Sequence, residues 1–539
     1  MKNIPQERLL YFHTIMNHTS KPDFFSGTSR SGRVLLFGSA VFLHAALWTF
    51  LPPRFLANYP IDTMEMMVIG QNRVISTFKH PAFQSWIVEI GSLLFRNAEF
   101  VPYLAAQTAC LLTVFTVWRL ARKILPPRPA LLAALTLLSY FYFHYDSTVY
   151  NNRTFMRFFW ILAVYFFYRA LEKNKLRHWI LAGAALGAGI YCKFTIFVLV
   201  AAILIFMCLE PRAGKYWKTP GPYLSAGVCF LIFLPLLVWL IRNHFPMLGY
   251  TLHSIGKPRP GLADHFLSPI RFLANQIPIL LILLIPLFPV LGFRWKFDTA
   301  TLFRTFDGRF LCAFLGIPLG LQLLVAAGCA GNMRTALGCH LWLILPLLLL
   351  YGLKIPAAKE RFYARSMKIV FADIFLFLVI TVLVTQLAPV LTKKDSRYHF
   401  PGRELAQKVN ALWSERYRTP LPFVRGDDWP AESVCVYLRP HVKTNVYSDL
   451  WSDEEEFRVR GGILLWMSAD PGHAPRHSVT GCFGNKDFRY SPETGQPDEW
   501  LKKFPDAEIL PPLELSPRTL VRVPPVKIGV AVVPPKYVP

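Results

Sequence analysis

Asp62-Thr-Met-Glu65-Met-Met-Val-Ile-Gly70-Gln71-Asn-Arg-Val-Ile-Ser-Thr-Phe-Lys79-His80-Pro81-Ala-Phe-Gln-Ser-Trp86 follows the first long apolar segment of the chain. The rest of the sequence is organised around this stretch. Asp62 and Glu65 stand three apart, so a helix places both carboxylates on one face. Pro60 suits the start of that helix, whose positive end holds a first-turn carboxylate ionised. Lys79-His80-Pro81 then brings cationic donors ahead of a second helix-like run, Ala82 to Phe95. Carboxylates and cations at one lipid–water boundary suit a reaction that releases a phosphate from a lipid. A charged loop between membrane helices is more commonly only solvated, so the rest of the chain has to decide.

Composition decides the class. Of 539 residues, 53% are hydrophobic and only 17% charged, against about 25% charged in a soluble domain. Apolar runs near membrane-spanning length recur throughout, the mark of a polytopic membrane protein. A net charge of +25 would suggest nucleic acid in a soluble protein. Here many of the Lys and Arg fall in alternate short loops, which expresses membrane orientation and gives no reason to expect a nucleic-acid partner.

The first span covers roughly residues 33–51, after a basic N-terminus with Lys2, Arg8, Lys21 and Arg30. It lacks the short core and cleavage site of a secretory signal and reads as a retained helix. Further spans are expected near 101–118, 129–145, 155–171, 178–191, 194–209, 222–241, 272–293, 309–328, 337–353 and 368–390. Basic clusters follow the even-numbered ones, at Arg119–Arg128, Arg169–Arg177, Arg212–Lys218, Arg294–Arg304 and Lys359–Lys368. Five loops agree, so the expectation is a cytoplasmic N-terminus, about eleven spans and an outer C-terminus. Residues 1–32 are then a cytoplasmic N-terminus. Residues 33–390 form the transmembrane catalytic domain with outer loop 52–100, and 391–539 form an outer α/β domain.

On the outer face, a second loop carries His144, Asp146, Asn151, Asn152 and Arg153, with Arg157 one turn into the fourth span. An arginine inside a membrane helix needs a partner, an aqueous cavity or a route to the surface, and Asp146 is the natural partner. Lys193 is expected at or just below this face, after a helix whose Gly183, Gly187 and Gly189 permit close packing. The loop 242–266 holds Arg242, His244, His253, Lys257, Arg259, Asp264 and His265, with Arg271 opening the next span. Gly256, Pro258, Pro260 and Gly261 argue for an irregular flap there, either closing over a lipid headgroup or simply connecting. Arg334 and His340 complete the cationic set. No Walker loop, HExxH, GxSxG or Cys/His zinc spacing occurs.

Beyond residue 391 charges mix, apolar runs shorten and proline rises. A helix is expected over 404–413, strands over 421–424, 462–466 and 527–533, and further helices near 431–438 and 497–503. Asp427-Asp428 and Asp453–Glu456 read as solvated loops and helix starts rather than metal ligands. Seven of nine cysteines lie in or beside spans; Cys435 and Cys482 reach the outer side, where a disulfide between them is one option.

Taken together, Asp62-x-x-Glu65, Gly70-Gln71, Lys79-His80-Pro81 and Trp86 resemble the first outer loop of the GT-C membrane glycosyltransferases. More narrowly, they resemble the protein O-mannosyltransferase and aminoarabinose–lipid A transferase relatives. Tyr150-Asn-Asn-Arg-Thr-Phe-Met-Arg-Phe-Phe-Trp160, Trp179 to Lys193, Pro235 to Trp239 with Asn243-His-Phe-Pro246, Val424-Arg-Gly-Asp-Asp-Trp429 and Ile528 to Pro535 resemble further parts of that family. Two departures stand out. Thr63 replaces a second acid, and Ala82 replaces a second proline.

The resemblance implies a polyprenyl-phosphate-linked sugar donor and a lipid, glycan or protein acceptor, with lipid A or another envelope glycan in first place. It implies a bacterial inner-membrane location, with the C-terminal domain periplasmic. Displacement at the anomeric carbon expels a phosphate monoester, which cations assist. Lys79, His80, Lys193, Arg242 and Arg271 are the candidates for that role. Asp62 is the candidate base toward an acceptor hydroxyl, or the orienting group toward an acceptor phosphate, with Glu65 and Asp146 positioning. Arg153, Arg157 and His244 are candidate substrate contacts. No metal or other cofactor is expected. A transporter or lipid-linked-sugar flippase would gather its ionisable residues near the bilayer midplane within repeated halves. Here they collect at one face and no repeat is visible.

Overall fold

The computed structural model describes residues 29–255, 260–291, 297–331, 333–353, 360–392, 397–439, 442–444, 454–467, 501–520 and 524–536. The basic residues Lys2, Arg8 and Lys21, together with Lys257, Arg259, Arg294, Lys296, Lys359, Asp453 and Cys482, lie outside them. Among the described residues, eight helices are long and apolar enough to cross a membrane. The number is nine if Ile196–Leu209 and Pro211–Lys218, bent by 97°, count as one span. The protein is a multi-pass membrane protein carrying a small C-terminal sheet region.

The membrane part opens with α1 (Arg30–Phe50), capped by the Ser29 side chain. Two helices of the first long connection follow, α2 (Ile61–Gln71) and α3 (Phe83–Leu94). Next come α4 (Val101–Ile124), α5 (Pro127–Leu135), α6 (Arg153–Lys173), α7 (Leu176–Ile190), α8 (Ile196–Leu209) and α9 (Pro220–Arg242). The series ends with α10 (Pro246–Ile255), α11 (Leu262–Leu284), α12 (Phe306–Cys329), α13 (Leu345–Gly352) and α14 (Glu360–Thr392).

Eight of the about eleven expected spans coincide with helices of spanning length and a ninth with the bent pair, while those expected at 129–145 and 178–191 have no helix of spanning length among the described residues. Helices α7 and α8 have 15 and 14 residues, about 22 Å each at the rise of an α-helix, short of a bilayer's hydrocarbon core. The expected span 129–145 is a nine-residue helix followed by 3₁₀ turns at Thr136–Ser139, Phe141–Phe143 and Tyr145–Thr148. Such backbone survives at membrane depth only when packed inside protein. Here the Tyr140 and Tyr142 hydroxyls donate to the carbonyls of Cys339 and Thr335, at 3.2 and 3.0 Å.

The glycines of α7 do what their spacing suggests. A Cβ on Gly183 would sit 2.1 Å from the Ser225 carbonyl oxygen, and one on Gly187 2.8 Å from Ile232, so α7 and α9 meet backbone to backbone.

In the loop 242–266, residues 246–255 form the helix α10, begun by Pro246, while Gly256 and Pro258, on which the expected irregular flap rests, lie outside the described residues. Gly261 then caps α11, its backbone N–H donating to the Asp264 carboxylate at 2.9 Å.

The C-terminal part contains α15 (Gly402–Arg416), α16 (Asp428–Tyr437) and α17 (Glu454–Arg460) with a five-stranded sheet. The strands are β1 (Phe423–Gly426), β2 (Lys443–Thr444), β3 (Gly462–Met467), β4 (Glu508–Leu515) and β5 (Val526–Val533), in the order β2-β1-β3-β5-β4. β1 runs parallel to β2 and β3; β5 is antiparallel to β3 and to β4. Side chains alternate between the two faces. Ile463, Leu465 and Val530 pack with Leu405, Val409 and Val434 of α15 and α16, while Leu464, Trp466 and Ala531 pack with Phe457 of α17. β4 was missed in the sequence because of Pro511 and Pro512. Both are tolerated on this edge strand, at an irregularity between Leu510 and Leu513.

Candidate active site

The site is assembled on α2 and the hairpin that follows it. Helix α2 begins after Pro60 and carries Asp62 in its first turn, as its spacing predicts. Ser76 to Pro81 closes a tight turn. Thr77 Oγ1 accepts from the backbone N–H groups of Lys79 and His80, at 3.1 and 3.2 Å, and Thr77 N donates to the His80 carbonyl. This fixes Lys79 and His80 against Glu65. The Lys79 ammonium lies 3.3 Å from each carboxylate oxygen of Glu65, and His80 Nε2 lies 3.3 Å from Glu65 Oε1.

Both family departures have local reasons. The Thr63 hydroxyl is buried and accepts from Tyr150 N at 2.9 Å, tying α2 to the second outer loop. The Ala82 N–H donates to the Ile75 carbonyl at 3.2 Å, a bond proline could not make.

Burial sets the protonation. Glu65 is 4% exposed, and desolvation, with Asp62 and Asp428 nearby, raises it to about 7 against the opposing pull of Lys79. Desolvation, reinforced by Lys79 and Lys193, pushes His80 down to about 3. His80 is therefore neutral, and the expectation that it serves as a cation is corrected: it can offer a ring N–H but no charge.

The second outer loop supplies a buried charge triad. Asp146 lies 3.6 Å from both Arg153 and Arg157. Arg157 also donates to the Tyr142 carbonyl at 3.3 Å and faces the rings of Tyr142 and Phe143. The partner read from the sequence is the one found, and Arg157, 1% exposed, is an internal anchor of this loop. Arg153 stands closer to the reaction space, where its charge is felt by Asp62, His80 and Lys193. Lys193, in the turn between α7 and α8, is half-buried and within electrostatic reach of Asp62, Arg153 and Arg334. His144 faces away, stacked on Phe377 at 3.9 Å.

Three candidates stand apart. Arg242, His244 and Arg271 are exposed, and none of them is among the charges that shift Glu65 or His80 most. His244 also has a left-handed backbone, φ 57°. Helix α10 reaches the hairpin instead through Met247, whose sulfur is 4.0 Å from Ser76 Oγ, and Tyr250, edge-on to Phe78.

The sequence missed the fourth wall. Helix α16 of the C-terminal part docks on α2: Asn58 donates to Ser433 Oγ at 3.1 Å, Tyr437 donates to Asn58 at 3.1 Å, and Gln71 donates to the Val442 carbonyl at 3.0 Å. Arg439 pairs with Glu89 and Arg403 with Glu99. Asp428 begins α16 as a helix start should and is partly exposed. Its charge, like that of the fully buried Glu432, is coupled to Glu65. Burial, with Asp428 and Glu65 adding to it, raises Glu432 far above the usual carboxylate range. Cys435 is buried there, its thiol 3.1 Å from the Val442 carbonyl. By contrast Glu454 and Glu456 are solvated, paired along α17 with Arg458 and Arg460. Among the described residues no three His, Cys, Asp or Glu side chains converge as metal ligands.

Residues 79–239 match the model of a family described as dolichyl-phosphate-mannose-protein mannosyltransferase. That segment holds Lys79, His80, Asp146, Arg153, Arg157 and Lys193. No curated protein sequence matches the chain. Among solved structures, the chain is similar to ArnT from Cupriavidus metallidurans bound to undecaprenyl phosphate. The TM-score is 0.61 at 14% identity, covering 94% of this chain and 99% of that one. The apo state of the same protein gives 0.60 at 15% identity, covering 94% and 98%. At such identity the likeness establishes the fold, and it agrees with the GT-C resemblance read from the first outer loop.

Proposed function

We propose that this chain, a membrane glycosyltransferase of the GT-C type, moves a sugar from a polyprenyl-phosphate donor to an acceptor at the outer face of a bacterial inner membrane. The acceptor we favour is lipid A or another envelope glycan. The observation that carries this reading is the meeting, at one end of the helical bundle, of Asp62 and Glu65 with Lys79, Arg153 and Lys193. The C-terminal domain, 391–539, is outer and meets the site through α16, and the N-terminus, 1–32, is cytoplasmic. The ArnT relative's bound undecaprenyl phosphate supports a donor of that class.

In this mechanism the acceptor oxygen attacks the anomeric carbon while the bond from that carbon to the phosphate oxygen breaks. Asp62 accepts the proton of an acceptor hydroxyl, or orients an acceptor phosphate that needs no deprotonation. The polyprenyl phosphate leaves with the bonding electrons, and Lys79 and Lys193, with Arg153, balance its growing charge. His80 offers a neutral N–H. Arg242 and Arg271 can join only from the approach to the site, along the donor's lipid path. Asp146 positions Arg153.

The test is transfer by the purified protein from a polyprenyl-phosphate sugar, with mass spectrometry of envelope lipids from cells with and without the chain to identify the acceptor. Envelope lipids and glycans of unchanged mass, together with no transfer in vitro, would remove this reading. A flippase has no comparable support, since the ionisable groups are gathered at one end.

A further inference from the structure

Asp62 stands in the first turn of α2, the part of a helix that the helix itself holds least. The residue at its N-cap is Pro60, which has no N–H and no side-chain acceptor for the turn. The Pro60 carbonyl accepts from the N–H groups of Thr63 and Met64, at 2.9 and 3.0 Å, and the remaining hold comes from other elements. Thr63 ties one side of the turn to Tyr150. Ser433 of α16, fully buried, holds the other. Its hydroxyl accepts from Asn58 Nδ2 at 3.1 Å and donates to Met64 Sδ at 3.5 Å. One side chain thus touches the chain four residues before Asp62 and two residues after it. Asn58, 2% exposed, also accepts from the Tyr437 hydroxyl at 3.1 Å, so α16 fixes both ends of its amide.

We propose that Ser433, carried by the C-terminal domain, is a positioning residue for Asp62: by bridging Asn58 and Met64 it fixes the first turn of α2 and the direction of the Asp62 carboxylate. The chain between the anchored points is stiff. Tyr59 is confined to extended backbone by the proline after it, and Pro60 has its own φ locked. A shift at Asn58 is therefore passed on to Asp62 instead of being absorbed. Tyr59 is also held by its hydroxyl, which donates to the Glu99 carbonyl at 3.1 Å, and by its ring, stacked on Tyr437. Gly402, which opens α15, is fitted to the same bridge. A Cβ there would lie 2.7 Å from Asn58 Oδ1 and 3.0 Å from Ser433 Cβ. The bridge is uncharged and acts by geometry alone. The C-terminal domain thereby becomes part of the catalytic apparatus without supplying a group that touches substrate.

The need for Asp62 to be placed rests on the base assignment above; the hold of Ser433 on α2 does not. Two measurements separate them. Amide hydrogen exchange of the full chain in lipid nanodiscs, read by mass spectrometry, reports the hold. In Ser433→Ala the Thr63 and Met64 amides should exchange about fivefold faster, the scale of one neutral hydrogen bond. The amides of α16 and of the far half of α2 should keep their wild-type rates. Tyr437→Phe leaves the ring on Tyr59 and removes only the second bond to Asn58, and should move the same two amides less.

Function is read as the initial rate at which cells, at matched protein levels, accumulate the envelope species whose mass shift depends on this chain. Ser433→Ala should lower that rate about tenfold, within the cost of misplacing a reacting group by about 1 Å. In an Asp62→Asn background no carboxylate is left to direct, so Ser433→Ala should cost nothing further. Unchanged exchange at Thr63 and Met64, or a wild-type rate in Ser433→Ala, would overturn the proposal. An equal further loss on top of Asp62→Asn would overturn it in favour of a purely structural Ser433. Faster exchange in Ser433→Ala together with wild-type product formation by Asp62→Asn would overturn the base assignment and leave the bridge standing.

Discussion

Asp146→Asn isolates the buried triad. The substitution keeps the side chain's shape and removes the charge lying 3.6 Å from both Arg153 and Arg157. Arg157's side chain is 2% exposed and Asp146's 15%, so solvent offers little replacement. Removing one member of a buried ion pair costs about 3–5 kcal/mol, because the other charge is left uncompensated. Here two guanidiniums lose their common counter-charge and also repel one another. Arg157 keeps the Tyr142 carbonyl at 3.3 Å and two aromatic faces at 5.6 and 5.7 Å, and a desolvated cation–π contact is worth up to about 2 kcal/mol. The expected loss is therefore about 3 kcal/mol.

The assay is unfolding in mixed micelles of dodecyl maltoside and SDS, followed by tryptophan fluorescence. Asp146→Asn should unfold at clearly lower SDS. Adding Arg157→Met should recover part of the loss, because the stranded charge is then gone, with a coupling of at least about 1 kcal/mol. A wild-type midpoint for Asp146→Asn, or strictly additive losses in the double variant, would refute the account of Arg157 as an anchor held by Asp146.

Asp62→Asn should lower transfer by about 10²–10⁴ while donor binding survives if Asp62 is the base; near-normal turnover would pass that role to Glu65 or another group. Gly183→Ala places a methyl 2.1 Å from the Ser225 carbonyl oxygen, a backbone atom, and should cost about 1–3 kcal/mol in the same micelle assay; wild-type stability would mean α7 and α9 can separate freely. In a background without the native cysteines, Glu508→Cys should react with an impermeant thiol reagent in intact cells with a permeabilised outer membrane, and Lys175→Cys should not. The reverse pattern would invert the orientation and move the site to the other side.

Much of the site was legible because it depends on short-range spacing and on the cost of charge in lipid. Pro60 with Asp62 and Glu65 fixed the start and face of α2, and the glycines of α7 announced a close helix contact. Arg157, too expensive to bury alone, pointed to Asp146. What only the tertiary structure decided depends on burial and on contacts between distant parts of the chain. The neutral state of His80 follows from desolvation inside a pocket whose walls come from several elements, which no spacing encodes. The exposure of Arg242, His244 and Arg271 was equally hidden, since sharing a membrane face does not bury side chains together. Asp428 reads in the sequence as an ordinary solvated helix-start residue. Asp428 and Glu432 come within electrostatic reach of Glu65 only because α16 packs on α2 across more than 360 positions of chain, through Asn58–Ser433 and Gln71–Val442. Local pattern reports which face a residue occupies, whereas its charge state and partners are set by whatever the rest of the fold packs against that face.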